Sequence, residues 1–330
     1  MKFPVFVFLL FWSALCKGQT MSEEERFISR LKPIETAPDG LLSSRSAALF
    51  SPDYSQTELE EIQTGFQKIG IDAVSYVESE RALAGRDLMN AYSRYFISRD
   101  IRFLIIMKKE KEEYLVNFVP FNAKSSWTEP GQSTWFVHSS GLRSLLQTIF
   151  RALISSQKRQ NFLVNDFPER SGPLSAIGGR KEEDWAPGVK VFKIAVPRTG
   201  ELEADKELEL YLKENFHAKY ELVEPDASEK DLLEKEFVYL LRFIHTRGSL
   251  AKDILGYDMS KSESALATVN YPNGTLQLKT IPSANSIYKF YLKHIGENIF
   301  YLGRKWDADL TWQAALKNYI DGYVAAGKLN

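Results

Sequence analysis

Apolar residues along this chain follow two rules by turns, three-to-four spacing and short continuous runs, and their order predicts an α/β fold with mixed α+β character. In the first half, Ala47 to Phe50 predict a short strand. Ser55 followed by Glu58 has the form of a capping box, Leu59, Ile62, Phe66 and Ile69 recur at helical spacing, and Gly70 ends the helix. Ile71 to Val77 predict a strand, and Leu88, Ala91, Tyr92, Tyr95 and Phe96 a second helix. Phe103 to Met107 form an apolar run of the buried-strand type, the charged stretch Lys109 to Glu112 turns the chain, and Tyr114 to Phe121 return antiparallel. Trp135 to Val137 add a strand before an amphipathic helix carried by Leu142, Leu145, Leu146, Ile149, Phe150, Leu153 and Ile154.

The same order recurs from Val189. Val189 to Val196 predict a strand, Leu202, Leu208, Leu212 and Phe216 a helix, Tyr220 to Glu224 a strand, and Leu233, Phe237, Leu240, Leu241 and Ile244 another helix. Two hairpins follow, one turning at Asn273-Gly274 and one at Gly296-Glu297, and Leu316, Tyr319, Ile320 and Tyr323 close the chain as a helix. The expected architecture is therefore two tandem βαβα-plus-antiparallel-hairpin-plus-α modules, at 46–170 and 189–330, with the form of an internal duplication in element order but with almost no shared sequence. Residues 19–45 are expected as a short helix and a loop. A linker rich in Gly, Pro and charge, 171–188, is expected between the modules.

The chain begins with a different pattern. Met1-Lys2 is followed by an apolar run from Phe3 to Leu15, about 13 residues, which suits a secretory signal and falls short of a membrane span. Cys16-Lys17-Gly18 places small residues for cleavage after Gly18, and a periplasmic or extracellular location is the expectation. Cys16 also stands where bacterial lipoproteins carry their lipid, but Leu15 occupies a place at which that signal takes Gly, Ala or Ser. No later run reaches the length of a membrane span.

Composition changes this picture in two ways. Cys16 is the one cysteine, so a chain cleaved after Gly18 has no disulfide and must be held by its core. Of 42 basic side chains, Lys2 and Lys17 fall in the leader, leaving 40 against 43 acidic and a net charge of −3. That balance gives no electrostatic ground for a nucleic-acid partner.

Catalytic motifs are missing from the sequence: there is no GxSxG, Walker A run, GxGxxG or HExxH. His138, His217, His245 and His294 are too widely spaced to pair on one helix as metal ligands, and no cofactor is expected. Asp307-Ala308-Asp309 resembles a divalent-cation DxD pair, although Asp309 as the cap of the last helix, with Asp307 solvated, accounts for the same residues. Gly178-Gly179-Arg180-Lys181 is expected as flexible linker. Asn273-Gly274-Thr275 matches a glycosylation sequon that the hairpin turn already explains.

The candidate binding residues are Trp127, Trp135, His138, Trp306, Asp307 and Asp309, in which indole rings precede or bracket the last helix of each half. The competing explanation is that these rings plug the ends of the two cores. Together these features lead to the expectation of an exported, non-enzymatic cell-envelope protein whose modules bind a protein or surface polymer. An envelope hydrolase or transferase acting on glycan or peptide, cation-dependent through Asp307 and Asp309, is the alternative.

Overall fold

A computed structural model describes residues 23–156, 161, 164–165, 167–170, 178–260 and 263–329. The expected leader, Cys16 and residues 171–177 of the expected linker lie outside them. The chain is mixed α/β. In order it runs α1 (Glu23–Ser29), β1 (Lys32–Ile34), β2 (Arg45–Phe50), α2 (Gln56–Ile69), β3 (Asp72–Glu78), α3 (Ser79–Ala82), α4 (Arg86–Ser98), β4 (Ile101–Glu110), β5 (Glu113–Pro120), β6 (Ser133–Ser139), α5 (Leu142–Ser156) and β7 (Glu169–Arg170). It continues with β8 (Arg180–Glu182), β9 (Lys193–Pro197), α6 (Leu202–Asn215), β10 (Tyr220–Val223), α7 (Glu229–Glu234), β11 (Phe237–Arg247), α8 (Gly248–Leu255), β12 (Ala265–Asn270), β13 (Gln277–Pro282), β14 (Ser286–His294), β15 (Ile299–Tyr301) and α9 (Trp312–Ala325). Among the described residues no helix is long and apolar enough to cross a membrane.

Local chemistry accounts for the boundaries. Ser55 accepts from the Glu58 amide while the Glu58 carboxylate accepts from the Ser55 amide, a complete capping box, and Gly70 closes α2 in the left-handed conformation at φ 100°. The helix buries Leu59, Ile62, Phe66 and Ile69, the four positions that its spacing predicts. In the β12–β13 hairpin, Asn273 (φ 53°, ψ 34°) and Gly274 (φ 76°) make a type I′ turn closed by the Thr275 amide on the Pro272 carbonyl.

The two main sheets have matching connectivity. The first has the order β1-β6-β5-β4-β2-β3-β7 and the second β10-β9-β11-β14-β15-β8. Apart from β7, each strand of one sheet has a counterpart in the other, with the same parallel or antiparallel sense at every pairing. The correspondence is one of topology and does not by itself establish a duplicated sequence. The second module adds α8 and the separate β12–β13 ribbon between β11 and β14.

Each sheet is covered on both faces. In the first, α2 and α5 cover a core that includes Phe66, Ile105, Phe118 and Ile149, while α1 and α4 cover one that includes Phe27, Leu49, Phe96 and Leu104. In the second, α6 and α9 pack over Ile194, Leu241, Phe290 and Leu292. On its opposite face lie α7, α8 and two residues of the first module, Ala84 and Leu88.

Three segments differ from the sequence expectation. The predicted helix through Leu233 to Ile244 is a short helix, α7, followed by the long strand β11. Tyr239 and Leu241 enter the core under α6 and α9, while Leu240 and Ile244 enter those on the other face. Burial on both faces removes the alternation of a strand and leaves an accidental helical spacing. Pro33 and Ile34, expected in a loop, belong to β1, which pairs with β6. Arg180 and Lys181, expected in flexible linker, lie in β8 beside β15, and Trp185 is buried against Tyr319 and Tyr323 at 5.8 and 4.5 Å between ring centroids.

Candidate functional site: the junction between the modules

The aromatic and acidic residues singled out in the sequence do not share one surface. Trp127 is wholly buried, its Nε1 donates to the Met89 carbonyl at 3.0 Å, and its ring meets Phe96 edge to face. Trp135 lies under the other face of the same sheet, stacked on Phe118 at 4.7 Å. His138 is exposed on β6 with its ring stacked against Phe136. Trp306 is half-buried beside Tyr257, with Lys252 over its ring.

Asp307 and Asp309 are both buried and both already paired. Asp307, expected in solvent, forms an ion pair at 2.8 Å with Lys289, which has no exposed surface. Lys289 Nζ also donates to the carbonyls of Phe290 and Leu302. Burial pushes the Lys289 ammonium down and the Asp307 carboxyl up from their ordinary values. Asp309 accepts from Lys279 and Asn318, and Thr311 is the residue that caps α9. These pairings occupy the carboxylates that a shared divalent ion would need. Among the described residues no group of three or more His, Cys, Asp or Glu is arranged to hold a metal.

A different polar cluster forms where the α3–α4 corner of the first module meets the second sheet. The corner is tight at Gly85, where a Cβ would stand 2.7 Å from the Phe243 carbonyl oxygen. The adjacent Ala84 carbonyl accepts from the His245 amide at 2.7 Å, a main-chain bond between the modules. Ion pairs surround this contact. Arg247 holds Glu78 and Glu80, Arg81 holds Asp253, and His245 Nδ1 lies 3.0 Å from a Glu23 oxygen with its ring stacked on Tyr288.

Asp87, in the first turn of α4, anchors the inner part of the cluster. It accepts from the Tyr291 hydroxyl at 2.7 Å, and one of its oxygens lies 3.7 Å from Arg242 Nε and 3.9 Å from Lys293 Nζ. Lys293 is satisfied by Glu229 at 2.6 Å. Burial, followed by the neighbouring Asp87 charge, holds the Tyr291 phenol well above its ordinary range, so it stays a donor.

Arg242 is less well served. It is 7% exposed, yet its Nε has no hydrogen-bond partner, and Asp87 is too distant to supply one. Arg86, at the start of α4, donates to Ser125 Oγ at 3.1 Å. Burial, then the like charge of Arg242, lowers the Arg86 pKa; Arg30 acts in the same sense, and Asp226 and Asp87 oppose it. The junction thus draws charged groups from both modules, and within it the Arg242 Nε is ion-paired with Asp87 without a hydrogen bond.

Its position has a topological reason. Strand β9 is flanked by β10 on one side and β11 on the other, so the connections after β9 and β10 run to opposite sides. Open α/β sheets bind ligands at the carboxyl ends of strands where the order reverses in this way. Asp226, just after β10, belongs to that end of the second sheet, whereas Arg242 stands midway along β11 opposite Tyr291. Sequence reasoning missed these residues, because a lone Arg inside an apolar run carries no motif. Comparison with protein-family models, curated proteins and solved structures finds no match for this chain.

Proposed function

We propose that this is an exported, non-enzymatic cell-envelope protein that binds a protein or surface polymer at the junction between its two α/β modules. Export is carried by the leader-like pattern of the first 18 residues. Binding is supported by one observation, the nearly buried guanidinium of Arg242, whose Nε stands 3.7 Å from Asp87 and makes no hydrogen bond. Leaving a buried donor unsatisfied costs about 1–3 kcal/mol, more when the group is charged, and a ligand that supplies the acceptor recovers it. Such unpaired polar groups in a native fold call for an explanation, and a missing partner is the simplest.

The ion pairs around Gly85 support this reading, since they tie the two modules together where Arg242 is buried. Affinity purification from a cell-envelope extract tests it. Wild-type protein is expected to recover a specific partner, and Ser125→Trp, which replaces the hydroxyl that Arg86 donates to by an indole, is expected to lose it. Lys68→Ala, on the distant α2 surface, is expected to retain it. Recovery of no specific partner, or equal recovery by Ser125→Trp, contradicts the reading.

A further inference from the structure

We infer that the open edge of β13 pairs antiparallel with the same edge of a second copy of this chain, centred on Leu278, so that two β12–β13 ribbons join as one four-stranded sheet. Which groups line that edge follows from the register of the ribbon. One step beyond the Ala265–Pro282 pair, the Ser283 amide donates to the Ser264 carbonyl at 2.9 Å, and Leu266–Ile281, Thr268–Lys279 and Asn270–Gln277 continue this hydrogen-bonded series at every second position. The amides and carbonyls of Gln277, Lys279 and Ile281 therefore point to β12, and those of Leu278 and Thr280 point away from it. The outward positions of β12 are used differently, since Val269 donates to the Trp306 carbonyl at 2.8 Å and that edge is covered. Among the described residues no strand other than β12 pairs with β13.

Proteins guard sheet edges by keeping them short or by placing charge, proline or a bulge on them. At the edges of the two main sheets, β1 and β8 have three residues, β7 two and β10 four. Strand β13 has six, without a bulge, and its one proline, Pro282, stands at the far end. Its one charged side chain, Lys279, is held by Asp309 on the same face as the buried Ile281. Leu276, Leu278 and Thr280 share the other face and are exposed, the two leucines by 47% and 69%. A second copy fits this edge because the pattern is its own complement. Antiparallel pairing about Leu278 sets Leu278 against Leu278, Leu276 against Thr280 and Gln277 against Lys279, with no like charges opposed. Both main-chain groups of Leu278 face the edge, so the central pair exchanges two hydrogen bonds across the two-fold axis. The paired segment is short, and the association it supports is weak.

Cysteine cross-linking reads this register directly. With Cys16→Ser the chain has no thiol, and Leu278→Cys added to it places two cysteines in the central pair, about 5.5 Å apart at Cα and within the disulfide range of about 4.4–6.8 Å. Mild oxidation is expected to give a covalent dimer. Gln277→Cys in the same background is expected to give none, because its two copies stand two residues out of register, about 8 Å apart. By sedimentation velocity the wild type is expected to show a concentration-dependent monomer–dimer equilibrium. Leu278→Lys, which opposes two like charges at the centre, is expected to weaken it about tenfold. Circular dichroism establishes that each variant is folded, as its exposed position leads one to expect. Equal cross-linking by Gln277→Cys and Leu278→Cys, or a dimer that Leu278→Lys leaves unchanged, overturns the inference. A wild type that stays monomeric at millimolar concentration also overturns it, and leaves the edge to an extended segment of another protein.

Discussion

Replacing Asp307 by Asn removes one half of an ion pair that has no access to solvent, and the cost follows from the geometry. Lys289 and Asp307 are 2.8 Å apart, and Nζ completes its donors with the carbonyls of Phe290 and Leu302. At an effective dielectric of about 20, the lost attraction is about 6 kcal/mol. The ammonium has an escape, which is to release its proton. From an ordinary value of 10.5, neutrality at pH 7 costs about 5 kcal/mol. Asp307→Asn is therefore expected to destabilise the protein by about 3–5 kcal/mol, the range found when one partner of a buried pair is removed. Lys289→Met combined with Asp307→Val removes both charges and is expected to recover at least half of that loss.

The pH dependence has a definite sign. In Asp307→Asn, Lys289 is neutral when folded and protonated when unfolded, so the unfolded state binds more protons and stability rises with pH towards 10.5. Urea denaturation followed by circular dichroism at pH 7 and again near pH 9.5 measures both effects. A loss below about 1 kcal/mol, with the pH slope of the wild type, refutes the reasoning.

Three other substitutions have expected outcomes. Trp127→Ala empties a wholly buried site and removes the bond to Met89, and should cost about 3–5 kcal/mol by chemical denaturation, whereas the half-buried Trp306 should cost less. Gly85→Ala places a methyl group 2.7 Å from the Phe243 oxygen, and a loss of about 1–3 kcal/mol in thermal unfolding is expected as the inter-module contact opens. Burial raises the Glu58 carboxyl, but bonds from Lys109, Tyr114 and Ser55 outweigh it and hold the group at about 2. Glu58→Gln should cost about 1–2 kcal/mol at neutral pH. That stabilisation is present above the ordinary value of 4.5 and is lost as pH falls towards 2, so wild-type and variant melting curves should converge across this window.

How much of this was legible in the sequence depended on whether the signal was local. The capping box at Ser55 and Glu58, the stop at Gly70 and the turn at Asn273-Gly274 are decided by a few adjacent residues, and each is found in the structure. The order of strands and helices, and its repetition, followed from such signals. Strand β11 did not, since burial on both faces hides its period. The edge strands β1 and β8 are three residues each, too short to show a period at all. Trp185 gave no sign of entering the second core from within a charged, Gly- and Pro-rich stretch.

The junction was illegible for a related reason. Its members are charged residues that look solvated one at a time, and they become a site through contacts such as Tyr291 to Asp87, which lie 204 positions apart. The tryptophans that drew attention in the sequence owe their prominence to size, and Trp127 and Trp135 fill the core. The burial of Arg242 on its strand and its pairing with Asp87 arise only once the two modules are docked.

The central claim, that a partner is bound at the junction between the modules, is tested most directly by site-specific photo-cross-linking in cells that make the full chain. A photoreactive residue at Ser125, beside Arg86, is expected to yield a discrete adduct that Arg86→Gln diminishes. The same residue at Lys68, on the far α2 surface, is expected to yield none. An adduct from Lys68 alone, or one from Ser125 that Arg86→Gln leaves unchanged, contradicts the account.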